Sequence, residues 1–243
     1  MPGKYNFVVW TDYINNASDD LYYDTYQFEA ITLRGESHVG CTDYKDAFCG
    51  TITSTVSKAV QEARVDMRRP MAKFNFISND VNEFLNMVST VRAKNAAKEL
   101  GEDADTSTNN DPNSDVPLDK DIDITDFDVI IRYNSAMPSV YNLYTNRPSD
   151  TASGVSFKSK INVLENGEAE LGFDYVFVNE TESQINVSIE VYDCNGTLLS
   201  RFKPIDIPLM RSKLTTVKAD FLTAGDGGVG IIPDYDGNYN YPR

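Results

Sequence analysis

Alternation of apolar and polar residues with a period of two dominates the second half of the chain. The segments that show it are residues 127–133, 155–163, 169–177, 185–191 and 215–221. Each segment predicts a strand with one face toward a core and the other toward water. Asn195-Gly196 predicts a two-residue hairpin turn after the fourth segment, because both positions tolerate a positive φ. This pattern is typical of an antiparallel β-sandwich, here of about seven strands.

The core of this sandwich is predicted from the apolar parity of its strands. We expect it to contain Phe127, Ile131, Leu171, Phe173, Tyr175, Val187, Ile189, Val217 and Phe221. A one-residue slip would move every side chain of a strand to the opposite face. Strong exposure of more than two of these residues would therefore mean that the predicted register is wrong.

A long predicted strand, residues 65–77, reverses its side-chain phase halfway. Met71 lies on one parity, whereas Phe74 and Phe76 lie on the other. Pro70 stands at the reversal, and since proline lacks the N–H that a central ladder needs, a bulge or an edge position is expected there. We interpret the stretch as a connector between two β-regions. An ordinary bulged strand within one domain is the alternative.

The connector divides the chain into two predicted β-sandwich domains, so the fold class is all-β. Residues 1–68 form a partial N-terminal domain, with roughly three or four strands by their composition. Its first strand carries Tyr5 and Trp10 and is expected to be buried on both faces. Residues 69–243 form the C-terminal domain.

One helix and one acidic loop are predicted to interrupt the C-terminal domain. The helix covers residues 80–100, with Asn79 or Asp80 as its N-cap and Glu83, three residues after Asp80, completing a capping box. The loop, residues 102–125, is acidic, rich in Asn, Ser and Thr, and broken by prolines. Such a segment cannot bury enough apolar surface to order itself, so a long mobile loop is expected.

The charge of the chain restricts its partners. A formal net charge of −15 argues against nucleic acid and anionic membrane surfaces, because both require a basic footprint on the protein. No apolar run reaches the length that spans a membrane. A solvated acidic surface is the expected consequence.

The chain has few residues of the types that commonly act in catalysis, bind metals or form disulfides. Cys41, Cys49 and Cys194 are interpreted as small buried hydrophobic residues rather than a disulfide framework or a metal cluster. The single histidine, His38, is interpreted as an incidental surface residue, because no Ser-His-Asp or Cys-His spacing accompanies it. The glycine-rich residues 225–230 do not open a helix, so they predict a flexible tail rather than a phosphate loop.

Two groups of side chains carry oxygen atoms that calcium could use. They are Asp119, Asp121, Asp123 and Asp126, and then Asp234, Asp236 and Asn238. The first group lacks the glycine and the terminal glutamate of an EF-hand loop, so a solvated acidic loop is the better interpretation, and the same holds for the second. No catalytic, cofactor-binding or metal-binding residue is predicted, and the chain is not expected to be an enzyme.

Five stretches together resemble the fimbrillin-like surface lipoproteins of Bacteroides-type bacteria, which are related to minor fimbrial anchor subunits. They are residues 3–13, 69–74, 172–179, 208–215 and 227–231. The resemblance implies two sandwich domains of transthyretin-like type, export by a lipoprotein signal and a role in pilus assembly or adhesion. Residues 4–10 already read as a strand, so earlier strands and a lipid anchor are expected upstream of Met1.

The resemblance favours a non-enzymatic fimbrial subunit, anchor or adhesin at the outer membrane surface. Its expected partners are pilus subunits or other surface proteins. Strand exchange would act at the sheet that carries Tyr5 and Trp10, and residues 225–243 are a candidate inserting segment. The alternative is a carbohydrate-binding module of an outer-membrane nutrient-uptake system. A flat stacked pair of exposed rings would favour a glycan, whereas buried rings would favour a structural role.

Deletion of residues 102–125 is expected to leave the melting temperature nearly unchanged, because the segment carries few apolar residues that could pack. Differential scanning calorimetry of the deleted and full chains measures this. A large drop in melting temperature would show that the segment packs.

Overall fold

The computed structural model describes residues 2–16, 19–99, 122–224 and 229–234. Over these ranges the chain forms strands β1 to β17, numbered in chain order, and one α-helix. The predicted all-β, sandwich-type fold with one helix is therefore confirmed.

Two sheets make up the sandwich. The first contains, in spatial order, β12 (Asn162–Val163), β13 (Ala169–Phe177), β7 (Met71–Ser78), β16 (Leu214–Ala219) and β17 (Gly230–Asp234). The second contains β11 (Ser156–Lys160), β8 (Asp128–Tyr133), β14 (Ser183–Tyr192) and β15 (Leu198–Leu209). The two sheets contain more than the predicted seven strands, because they include the short edge strands β12 and β17. Neighbours are antiparallel except β7 and β16, which pair in parallel.

One predicted strand is split in the structure, and one predicted hairpin is present. Residues 155–163, predicted as one strand, form β11 in one sheet and β12 in the other, with Ile161 buried where the chain crosses. The hairpin at Asn195-Gly196 is confirmed, because β14 and β15 pair across it. The predicted two-residue turn is wrong: Asp193 N–H donates to the carbonyl of Thr197, which leaves three residues in the loop, and of the predicted pair only Gly196 has a positive φ, 79°.

The predicted core residues are almost all buried. Seven lie in the main core between the two sheets: Phe127, Ile131, Leu171, Val187, Ile189, Val217 and Phe221. Tyr175 is also buried but belongs to a second core, against which the partly buried Phe173 packs. None of the nine is strongly exposed, so the predicted register is confirmed for most strands.

A β-bulge in β13 explains why Phe173 and Tyr175 left the main core. The register with β7 shifts between Glu170 and Gly172, and Gly172 has a φ of 150°. A Cβ at Gly172 would lie 2.7 Å from Cδ1 of Ile131, so only glycine fits without displacement. The extra residue reverses the side-chain phase, so that Asp174 points inward. The prediction of one continuous apolar face over residues 169–177 is therefore wrong.

The predicted long strand at residues 65–77 is also wrong in its first half. Strand β7 begins at Met71, directly after Pro70, and only Arg68 forms an isolated bridge, with Cys49. Proline has no N–H for the ladder, which is why regular pairing starts after it. Met71 enters the second core, while Phe74 on the other face of β7 enters the main core.

A third sheet covers the outer face of β7 and β13. It contains β10 (Arg147–Ala152), β9 (Met137–Asn142), β5 (Ile31–Leu33) and β4 (Tyr23–Asp24). The second core beneath it consists of Tyr23, Ile31, Ala47, Cys49, Met71, Tyr141, Leu143, Tyr175 and Phe177. Strand β5 thus pairs with a strand from the second half of the chain. The domain boundary near residue 69 stays a prediction.

Two ribbons complete the β-structure. Strand β1 (Gly3–Thr11) pairs with β6 (Phe48–Val56), and β2 (Ile14–Asn16) pairs with β3 (Asp19–Asp20). Six strands therefore precede residue 57, more than predicted. Burial of β1 on both faces is wrong for its first half: Tyr5 is 40% and Phe7 42% exposed, because a two-stranded ribbon has no second sheet to cover it.

The helix α1 spans Val81–Glu99, close to the predicted range. The backbone carbonyl of Asp80 accepts the first helical bond from Phe84, as an N-cap does. The predicted capping box is replaced, because the Asp80 carboxylate accepts bonds from Ser78 Oγ at 2.5 Å and Thr223 N at 2.7 Å. Among the described residues, no helix is long and apolar enough to cross a membrane.

The acidic loop and the tail fall mainly outside the described residues. The end of the predicted loop is an exception, because Ile122 and Ile124 pack against the main core. A deletion that spares stability should therefore stop before Ile122. In the tail, Gly230–Asp234 form β17 on the edge of the sheet, which corrects the prediction of a flexible tail for these residues.

Substitution of Gly172 by alanine is expected to lower the free energy of unfolding by about 2–4 kcal/mol, because it adds a Cβ contact to a strained backbone. Gly167→Ala is the matched control: its φ of 83° is also positive, but nothing lies within 4 Å of the added Cβ. It should cost about 1 kcal/mol. Urea unfolding of both variants measures the difference, and equal losses would contradict a requirement for space at Gly172.

Candidate functional site

A carboxylate lies fully buried at one end of the sandwich, on the strand segment that the bulge turns inward. Asp174 is 0% exposed. Its Oδ2 lies 2.5 Å from His38 Nε2 and accepts a 2.7 Å bond from the Tyr133 hydroxyl. Its Oδ1 accepts bonds from Lys45 Nζ and, at 2.8 Å, from the backbone N–H of Tyr175. Every polar partner that a buried carboxylate needs is thus present.

The loop between β5 and β6 supplies the basic partners. Lys45 is 1% exposed and ends a 3₁₀ turn, Asp43–Lys45, in which the Thr42 hydroxyl accepts a bond from the N–H of Tyr44. Its Nζ also donates to the carbonyl of Val39 at 2.9 Å. The loop can approach this closely because Gly40 has no side chain: a Cβ there would lie 2.3 Å from the Phe157 ring.

The charges of this buried centre stabilise one another. Burial alone would raise the pKa of Asp174, but the charge of Lys45 and the bond from His38 outweigh it and lower the pKa to about 2. Burial, together with the Asp174 charge, raises the pKa of Tyr133 well above its usual value. Tyr133 therefore stays a neutral hydrogen-bond donor at physiological pH.

A second set of ion pairs holds the same loop from outside. Arg69 contacts both carboxylate oxygens of Asp46, at 2.8 and 3.0 Å. Asp43 accepts bonds from Lys73 Nζ at 2.7 Å and from the Tyr175 hydroxyl at 2.6 Å. The loop is thus fixed on both sides of Lys45.

A pocket of about 620 Å³ reaches the buried centre from the surface. His38 and Lys45 form part of its wall, and Leu33, Met137 and Val155 contribute apolar side chains. The pocket lies between the loop and the third sheet. It is the route by which solvent or a small molecule would approach the centre.

The structure corrects the interpretation of His38 as an incidental surface residue. The ring packs edge-on against Tyr133, with centroids 5.9 Å apart, and its side chain is only 9% exposed. Sequence reasoning missed this because Asp174 lies 136 residues away. The one available signal was Gly172, since an isolated glycine within a strand pattern marks a bulge.

The three cysteines are free and differ in burial. Cys49 is buried, as predicted, and Cys41 is partly buried, with its Sγ 3.2 Å from Ser159 Oγ. Burial raises the pKa of both thiols. Cys194 is exposed, because it lies in the hairpin turn between β14 and β15, which corrects the prediction of burial there.

The acidic groups considered for calcium are only partly described. Asp123 caps a short 3₁₀ turn, Ile124–Asp126, and accepts a 2.8 Å bond from the N–H of Thr125. Asp234 lies in β17. Four further members of the two groups fall outside the described residues: Asp119, Asp121, Asp236 and Asn238. Over the described ranges, no group of three or more acidic, histidine or cysteine side chains could hold a metal ion.

The aromatic side chains of the described residues do not form the platform expected of a glycan site. Trp10 packs edge-on against Tyr23, with ring centroids 5.4 Å apart. Two exposed pairs occur among the described residues, and neither is flat. The rings of Tyr5 and Phe7 are tilted by 46°, and those of Tyr13 and Tyr44 meet at 76°.

The fold and the buried centre define a β-sandwich protein in which an ion-paired loop closes one end of the core. The chain belongs to the family described as "Family of unknown function (DUF6562)", whose profile matches residues 1–242. A comparison with curated proteins finds no match.

Several solved structures are similar to this chain. A candidate cell adhesion protein from Bacteroides ovatus aligns with a TM-score of 0.46 and 12% identity, over 96% of this chain and 67% of that one. A candidate cell adhesion protein from Bacteroides uniformis aligns with a TM-score of 0.41 and 12% identity, over 96% of this chain and 73% of that one. A candidate adhesin from Bacteroides thetaiotaomicron aligns with a TM-score of 0.44 and 10% identity, over 95% of this chain and 76% of that one.

Replacement of Lys45 by methionine is expected to lower the free energy of unfolding by about 3–5 kcal/mol, because it leaves the Asp174 carboxylate buried without its cation. Lys158→Met is the matched control, since Lys158 is 64% exposed and pairs with Asp128 at the surface. That variant should lose less than about 1 kcal/mol. Urea denaturation at neutral pH compares the two, and similar losses would contradict a special role for the buried pair.

Proposed function

We propose that this protein is a non-enzymatic cell-surface protein of the fimbrial type, a subunit, anchor or adhesin, that joins other surface proteins by strand addition. The surface that would join is the ribbon of β1 and β6. The resemblance to fimbrillin-like proteins supports this class, together with a lipid-anchored location at the outer membrane. In this proposal, residues 1–68 act as the joining domain and residues 69–243 as its support.

The observation that carries the proposal is that, over the described residues, β1 lies at the edge of its sheet. Among the described strands, β1 has β6 as its only hydrogen-bonded neighbour, over the whole of Gly3–Thr11. A strand with a vacant edge templates pairing with another extended chain. Main-chain bonds then provide the affinity, and side chains on the ribbon provide the specificity.

The side chains of the ribbon suit a protein partner. Phe7 is 42% exposed and stands beside the exposed ring of Tyr5, with centroids 6.3 Å apart. On the other face, Val8 and Trp10 pack against the second core, which keeps the ribbon attached to the body of the protein. An apolar outer face on a fixed ribbon is a surface that a partner strand or sheet can cover.

The buried centre supports a non-enzymatic role. The Nε2 atom of His38 faces Asp174 and Lys45 rather than a hydroxyl or a thiol that it could activate. All three side chains are more than nine-tenths buried, and of the three only His38 and Lys45 line the pocket. The arrangement has the features of a structural clamp.

Self-association through the ribbon is the test, with a second copy of this chain as the partner. Amides of residues 6–10 should exchange more slowly in concentrated than in dilute protein, because a second chain would pair with the β1 edge. Phe7→Lys should abolish this protection, since an edge lysine opposes strand pairing. Hydrogen exchange with mass spectrometry and light scattering measure both effects.

The control for this experiment is Val60→Lys. Val60 is fully exposed in the segment between β6 and β7, so the added charge should leave protection and association unchanged. Equal exchange of residues 6–10 at all concentrations, with a monomer throughout, would contradict strand addition at the ribbon.

A further inference from the structure

We propose that Lys45 and Asp174 condense into an intramolecular amide bond, which joins the loop after β5 covalently to strand β13. Lys45 supplies the nucleophile, Asp174 supplies the electrophilic carboxyl carbon, and His38 transfers the protons between them. This inference goes beyond the proposed function and does not depend on it.

The reacting groups are already in place. Lys45 Nζ and Asp174 Oδ1 are in direct contact, and their side chains are 2% and 0% exposed. The two residues lie 129 positions apart, so the contact is made by the tertiary structure. Holding two groups at contact distance removes the entropy cost that slows a reaction between free molecules.

A proton carrier bridges the two groups. His38 Nε2 lies 3.3 Å from Lys45 Nζ and 2.5 Å from Asp174 Oδ2. An amine attacks only when it has lost a proton, and a carboxyl oxygen leaves only when it has gained protons. Neutral imidazole, which accepts and releases protons near neutral pH, can carry them from one atom to the other.

The step balances without any other reactant. The ion pair begins with three hydrogens on Lys45 Nζ and none on the Asp174 carboxylate. Two protons pass from Nζ through His38 Nε2 to Oδ2, the Nζ–Cγ bond forms, and the Cγ–Oδ2 bond breaks. The products are a neutral amide that keeps one hydrogen on Nζ, and one water molecule.

The remaining contacts support this direction of reaction. The backbone N–H of Tyr175 donates to Oδ1, the oxygen that would carry negative charge in the intermediate and remain in the amide. The Tyr133 hydroxyl donates to Oδ2, the oxygen that leaves. Phe157 is 4% exposed and covers the loop at Gly40, which shields that side of the centre from water.

The amide would also remove two charges from the core. An ion pair of this depth has lost most of its hydration, and that loss offsets part of its mutual attraction. Condensation replaces two buried charges by one neutral group. The two protein segments would then stay joined when the surrounding sheets are pulled apart.

The mass of the intact, denatured chain is the decisive measurement. The purified protein should be lighter than its sequence by the mass of one water molecule, and peptide sequencing by tandem mass spectrometry should find Lys45 joined to Asp174. Lys45→Arg and Asp174→Ala should both show the full sequence mass. A wild-type chain at the full mass would overturn the proposal.

Two further variants define the roles of the neighbours. His38→Gln should form the bond at least about 100-fold more slowly, as expected for loss of a proton carrier, and its linked fraction should rise with time after purification. Lys73→Arg is the matched control, because Lys73 pairs with Asp43 in the same loop at 2.7 Å but lies outside the buried centre. It should lose water as completely as the wild type. A His38→Gln chain linked as fast as wild type would refute the assigned role of His38.

Discussion

The fully buried carboxylate of Asp174 is the constraint on which the rest of the structure depends. An ionised group in an apolar core is unstable unless cations and hydrogen-bond donors surround it. Lys45 and His38 supply them, and both belong to one loop between β5 and β6. The loop must therefore enter the end of the sandwich, which fixes where β6 begins and hence where the β1–β6 ribbon stands.

Strand β13 connects the two cores through this same position. After the bulge at Gly172, successive residues face opposite sides, so Asp174 points into the sandwich and Tyr175 into the second core. The Tyr175 hydroxyl bonds to Asp43, two residues before Lys45. The loop is thus held from both cores at once, and the ribbon, the third sheet and the sandwich behave as one connected structure.

This connection bears on the proposed joining of partners. Under that proposal, another chain would attach at the β1 edge of the ribbon, and the contacts of the loop with β13 would help to hold the ribbon on the sandwich. The net charge of −15 argues against nucleic acid and anionic lipid as partners, and main-chain pairing is the mode of association proposed for the ribbon. The contacts of the buried Asp174 therefore help to position the β1–β6 ribbon at which partners are proposed to bind.

Local patterns in the sequence determined most strands of the two sandwich sheets, most of the main core, the hairpin at Gly196 and the start of the helix at Asp80. These follow from side-chain alternation and turn chemistry, which act between near neighbours. Only the tertiary structure decided that Asp174 meets Lys45 and His38, that β7 pairs in parallel with β16, and that β13 changes face. Pairing between distant segments depends on the whole arrangement of sheets, and no period along the chain encodes it. A single glycine, Gly172, carried the only local trace of the buried centre.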